Sequence, residues 1–159
     1  MPGEGLVRGD DGVVRCAWGD SAPEYREYHD TEWGRPVTDD VRLFEKLCLE
    51  GFQSGLSWLT ILRKREAFRR AFAGFDFERV ARYTERDVER LLGDASIIRH
   101  RGKIEATINN AQRAIEMVEA EGSISAFVWR YEPERERGPR RPSETAESRA
   151  LAKELKRRG

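Results

Sequence analysis

Apolar residues along this chain recur every three or four positions rather than every second one, so the pattern predicts helices and no strand. Asp39 or Asp40 can cap a first helix that carries Leu43, Phe44, Leu47 and Cys48 on one side and ends near Gly51. A second helix is expected from Ser54 through Trp58, Ile61 and Leu62, breaking before the amphipathic stretch Phe68, Ala71 and Phe72, with Gly74 as the stop. Thr84 and Asp87 have the spacing of a capping box and open a short helix with Val88, Leu91 and Leu92 that stops at Gly93. The most regular pattern, Ile104, Ile108, Ala111, Ile115 and Val118 with Gly122 beyond it, predicts a long helix. From Tyr131 to Pro142 the chain is charged and broken by Pro133, Gly138 and Pro139, which reads as an exposed loop within one domain. Ser143 or Thr145 then caps a last helix holding Ala150, Leu151 and Leu155. The expected fold class is therefore all-α, with a loose tail over residues 1–14 and one helical domain over 15–159.

Composition narrows the picture without naming a partner. The length suits one domain with a real core. Lysine plus arginine equals aspartate plus glutamate, 29 of each, so net charge gives no argument for nucleic acid or a membrane, and any DNA contact must come from local patches. The longest uncharged stretch, Gly51 to Leu62, contains Gln53, serines and Thr60 and falls well short of the ~20 apolar residues of a membrane span. The glycine-rich start lacks the apolar run of a secretory signal, and two cysteines, Cys16 and Cys48, make no disulfide framework, so a cytoplasmic protein is expected.

The chemistry concentrates between residues 16 and 58. Trp18, Tyr25, Tyr28, Trp33 and Trp58 fall there, three of the four tryptophans among them, as does the carboxylate of Glu50. Aromatic faces attract cations and a carboxylate accepts N–H donors, so an aromatic cage walled by an acid binds a flat cation. Taken singly, each ring reads more readily as core, and it is their clustering around Glu50, outside any helical stripe, that shifts the balance. Glu50 reads as a solvated helix-end carboxylate, yet the helix dipole prefers a cation at that end, a conflict that points to a functional placement. The basic run Arg99-His-Arg101-Gly-Lys103 ahead of the long helix fits either phosphate contacts at a helix N-terminus or a solvated turn.

Four separated runs carry a family resemblance. Arg15-Cys-Ala-Trp18, Tyr28-His-Asp-Thr-Glu-Trp-Gly34, Leu49-Glu-Gly-Phe-Gln-Ser-Gly-Leu-Ser-Trp58 and Ile97-Ile-Arg-His-Arg-Gly-Lys-Ile104 resemble DNA-3-methyladenine glycosylase I in order and spacing. The resemblance implies a helix-hairpin-helix fold and excision of a methylated, cationic adenine from alkylated double-stranded DNA by a monomer, with no redox or nucleotide cofactor. It implies that Glu50 accepts hydrogen bonds from the extruded base, that Tyr28 meets its edge and that Trp58 stacks on it. Trp18, Tyr25 and Trp33 would complete or brace the pocket. Cys16 and His29 match two of four ligands of a structural zinc; from the residues alone they read as a buried thiol and a hydrogen-bonded imidazole, while Cys48 reads as core. Leu155-Lys-Arg-Arg-Gly159 resembles the start of a family segment that continues further, so fold and zinc site are expected to be incomplete at the C-terminus. Two other readings stand beside this one: a glycosylase that also cleaves the strand through a lysine, for which only Lys46 lies in the aromatic block, on exposed helix positions, and a non-catalytic remnant of the family.

Overall fold

The structure, a computed structural model, describes residues 3–134 and 143–159. The expected loop between Tyr131 and Pro142 lies for the most part outside the described residues. Two strands, β1 (Leu6–Arg8) and β2 (Val14–Cys16), precede eight α-helices: α1 (Pro23–Thr31), α2 (Asp40–Gln53), α3 (Trp58–Ala71), α4 (Phe77–Val80), α5 (Glu85–Leu92), α6 (Arg101–Glu121), α7 (Ile124–Val128) and α8 (Ala146–Arg158).

The periodic segments form helices with the expected caps. Asp39 accepts from the Arg42 N–H at the start of α2, Thr84 and Asp87 close a capping box at α5, and Thr145 caps α8. α6 is the spine of the molecule. Its Ile104, Thr107, Ile108, Ala111, Ala114 and Met117 are buried on one stripe. Against it pack Phe44 and Phe52 of α2 and Phe68, Phe72 and Phe75 at the end of α3, with Phe52 4.6 Å from Phe68 between ring centroids. Cys48 is part of this core, and burial pushes its thiol well above the ordinary range.

Two boundaries differ from the sequence reading. α2 runs through Gly51 to Gln53, because the break is made by Gly55, whose φ of +78° only glycine adopts freely. α3 begins at Trp58 behind the cap Ser57 and continues without a break to Ala71, since Ala67 and Phe68 are both buried in the core.

Beginning within the stretch expected as a loose tail, residues 6–16 form a hairpin. β1 and β2 pair antiparallel with Leu6 opposite Cys16, Val7 opposite Arg15 and Arg8 opposite Val14. What ties this hairpin down is Arg15, only 4% exposed. Its guanidinium donates to Asp11 at 2.9 and 2.6 Å and to Asp30 of α1 at 2.8–3.0 Å. These bonds, helped by His29, hold the Asp30 carboxyl down at about 2. A charged residue forms the buried face of the hairpin, so no apolar alternation announces it.

Candidate active site

The first wall of the site is built by α1 and the turns around it. Pro23 at the first position and the backbone donors of Glu32 and Trp33, both 2.9 Å from the Tyr28 carbonyl, bound the helix. That closing turn folds Trp33 back toward Tyr28 and His29. Trp18, on a 3-10 turn over Ala17–Asp20, stands at the centre of the cluster. Its ring lies 5.5 Å from Tyr25, 6.3 Å from Tyr28, 5.1 Å from His29 and 5.2 Å from Trp33. His29 stacks on Trp33 at 5.5 Å and leans on Gly19, where any Cβ would fall 2.6 Å from the imidazole. Only glycine at position 19 lets the imidazole approach so closely.

The second wall comes from the α2–α3 corner. Glu50 and Gln53 sit on the last turn of α2, and Trp58 is the first residue of α3, 5.8 Å from Tyr28 between ring centroids. Trp18, Tyr28, Trp33, Glu50, Gln53 and Trp58 together line a pocket of about 260 Å³. That is below the ~300–1,000 Å³ of pockets for drug-sized ligands and suits a single base. Five of the six residues expected at the pocket thus line one cavity, and the sixth, Tyr25, packs edge-on against Trp18. Gln53 carries no chemical signature of its own in the sequence, although its place three residues after Glu50 puts the two on one helix face.

Two acids near the pocket have opposite surroundings. Glu32 is neutralised: Arg65 grips it with two hydrogen bonds of 2.6 and 2.8 Å, and Arg42 and Lys46 approach to 3.9 and 4.0 Å. Glu50 has no hydrogen-bond or ion-pair partner among the described residues. Its negative charge, after burial itself, helps push the Tyr28 phenol above its ordinary pKa, so Tyr28 stays a protonated donor beside the carboxylate. Trp58 adds a buried indole N–H with no partner among the described residues.

The basic segments are engaged within the protein. Arg101 pairs with Glu85, Glu89 and Glu105, the His100 ring caps α6 through the Lys103 N–H, and Lys103 donates to the carbonyls of Phe52 and Ser54. Arg157 and Arg158 are paired with Glu154, and Arg158 also with Glu121. Of that first run, Arg99 stays exposed and unpaired among the described residues. Lys46, the one lysine in the aromatic block, turns to Glu32 and does not line the pocket. Cys16 lies on β2 and His29 on α1, with His29 Nδ1 2.9 Å from Asp30 Oδ1. Among the described residues no three metal-ligating side chains converge. No helix among them is long and apolar enough to cross a membrane.

Comparison with known proteins returns one consistent relationship. The family model for methyladenine glycosylase matches residues 18–159. The chain is 48% identical over 153 residues to DNA-3-methyladenine glycosylase 1 of Escherichia coli (strain K12), covering 92% of this chain and 82% of that one. The DNA-3-methyladenine glycosylase of Haemophilus influenzae is 42% identical, with 92% and 83% covered. A crystal structure of 3-methyladenine DNA glycosylase I superposes with a TM-score of 0.84 at 48% identity over 91% of this chain and 83% of the other. The Staphylococcus aureus enzyme, solved to explain its recognition of 3-methyladenine, gives 0.83 at 40% identity over 91% and 80%. With the family model matched along nearly the whole chain and the helical architecture shared, this protein belongs to the methyladenine glycosylase family.

Proposed function

We propose that this chain is a DNA-3-methyladenine glycosylase of base-excision repair, acting as a monomer in the cytoplasm on alkylated double-stranded DNA. The observation that carries the reading is Glu50, an exposed carboxylate with no partner among the described residues, which lines one pocket with three indoles and a protonated phenol. The free thiols of Cys16 and Cys48 suit a reducing compartment.

The chemistry follows from the substrate. Methylation at N3 makes the base a cation, so it leaves as a neutral molecule when the glycosidic C–N bond breaks and needs no general acid. The enzyme's work is to take the base out of the stack and recognise it. Trp58, Trp18 and Trp33 present ring faces to the cation, a term of about 0.5–2 kcal/mol that unmethylated adenine forfeits. Glu50 accepts the base's N–H donors, and the Tyr28 hydroxyl and Gln53 amide meet its edge. As the bond lengthens, positive charge moves to the sugar, where the Glu50 carboxylate and the substrate's own phosphates stabilise it. Water then adds to the sugar, leaving an abasic site and one released proton.

A closed zinc site takes four ligands. Cys16 and His29 supply two and no third converges among the described residues, so these residues alone do not fit one and no step above runs through a metal.

One experiment tests the reading. Release of 3-methyladenine from methylated DNA is measured for the wild type and Glu50→Gln, on protein checked for single-chain mass and for zinc by elemental analysis. The variant should fold normally and release the base roughly ten- to a hundredfold more slowly. Wild-type rates from the variant remove Glu50 from the mechanism, and metal-free active protein removes zinc from the active form.

A further inference from the structure

The carbonyls at the end of α2 reveal a second device in the site. A helix leaves its last four carbonyls without intrahelical partners. Here the turn itself serves two of the carbonyls at this corner: Ser54 N–H reaches Gly51 O at 3.3 Å and Leu56 N–H reaches Gln53 O at 2.7 Å. The other two, Phe52 O and Ser54 O, both receive the ammonium of Lys103, at 2.9 and 2.6 Å. Lys103 comes from the first turn of α6, fifty-one positions from Phe52 in sequence. It is itself fixed: its N–H meets the His100 ring at 3.1 Å, its carbonyl accepts from Thr107 at 2.9 Å, and its neighbour Ile104 is fully buried.

We infer that Lys103 is a positioning residue for excision, tying the start of α6 to the end of α2 so that Glu50 and Gln53 are held at a fixed distance from Trp58. The argument rests on the functional reading above. The two carbonyls it holds flank Gln53, and Glu50 lies one turn back on the same helix, so a loose end of α2 lets both pocket-lining side chains drift. An error of about 1 Å in a reacting constellation can cost about a hundredfold in rate. Lys103 also places a full positive charge at the helix end whose dipole opposes the Glu50 carboxylate, which offsets that conflict. Two of its three ammonium donors are taken by these carbonyls, so this lysine of the basic run is already engaged within the protein.

Lys103→Met keeps the alkyl stem and removes the charge and donors; Lys103→Arg keeps both. In Lys103→Met we expect kcat for 3-methyladenine release to fall at least tenfold, and binding of the free base, followed by tryptophan fluorescence, to weaken in parallel. KM for DNA, its salt dependence and the melting temperature should stay near wild type, and Lys103→Arg should recover part of kcat. A raised KM with a shallower salt dependence and unchanged kcat would make Lys103 a phosphate contact, and a loss that only follows the unfolded fraction would make it structural; either overturns the inference. Should Lys103→Met fail to fold, the wild-type ammonium resonance, identified by its absence from Lys103→Arg, must be protected from exchange and shift when free 3-methyladenine is added. An unprotected or unresponsive resonance rejects the inference. Wild-type protein that releases no 3-methyladenine sinks the functional reading instead, and protection of the resonance then still reports on the tie.

Discussion

Tyr28 shows how one side chain joins the two walls of the pocket. Its ring faces Trp18 on one side and Trp58 on the other, and its hydroxyl is kept protonated first by burial and then by the charges of Glu50 and Glu32. The raised pKa means that the neutral phenol is favoured in the folded protein, so the donor persists until pH rises beyond 10. Tyr28→Phe loses one hydrogen bond to the base, a term of about 0.5–1.5 kcal/mol, and should lower excision roughly three- to tenfold. Wild type and variant should have parallel pH–rate curves up to pH 10. An alkaline decline between pH 8 and 9.5 that vanishes in Tyr28→Phe would show that the phenol ionises early, against the effect of burial and the nearby carboxylates.

At the scale of elements, what the sequence disclosed depended on what each element buries. α2, α5 and α6 bury apolar stripes and were legible from spacing alone. α1 was not, because it buries no residue fully and gives its inner face to Tyr25, Tyr28 and His29, whose packing is around a pocket rather than in the core. The hairpin was hidden for a related reason, its inward residue being Arg15. The site residues were legible as a cluster of types, but Gln53 and Lys103 were not, since nothing in local spacing says that a lysine will reach across to α2. Glu32 docks the end of α1 on α2 and α3, and it contributes to the acid sensitivity of this part of the molecule. Arg65 first, then Lys46 and Arg42, lower its carboxyl pKa below the ordinary 4.5, so the stability it contributes is present above that pH and is lost as pH falls below it. Glu32→Gln should destabilise the protein at neutral pH and flatten the decline of melting temperature below pH 4.5. A variant whose acid decline is as steep as the wild type's would assign that decline to other carboxylates.

At the scale of the whole molecule, the balance of 29 basic and 29 acidic residues is reflected in how the cations are used. Arg15, Arg69 and Arg101 are committed to carboxylates of the protein itself, so the binding of a polyanion falls to those left over. This separates two residues that the sequence places side by side. Arg101 lies among Glu85, Glu89 and Glu105, and pulling it toward a phosphate would leave three acids facing the DNA. Arg99, two positions earlier, is exposed and unpaired among the described residues. A side chain that neutralises one phosphate contributes about 0.9 to the slope of log affinity against log salt concentration. Arg99→Ala should therefore make that slope shallower by nearly one and weaken binding to methylated and unmethylated duplexes alike. Arg101→Ala should leave the slope unchanged and lower the melting temperature slightly, because an exposed ion-pair cluster contributes little. If Arg101→Ala instead flattens the salt dependence while Arg99→Ala does not, the glutamates around Arg101 release it on binding, and the closed network seen in the free protein is opened by DNA.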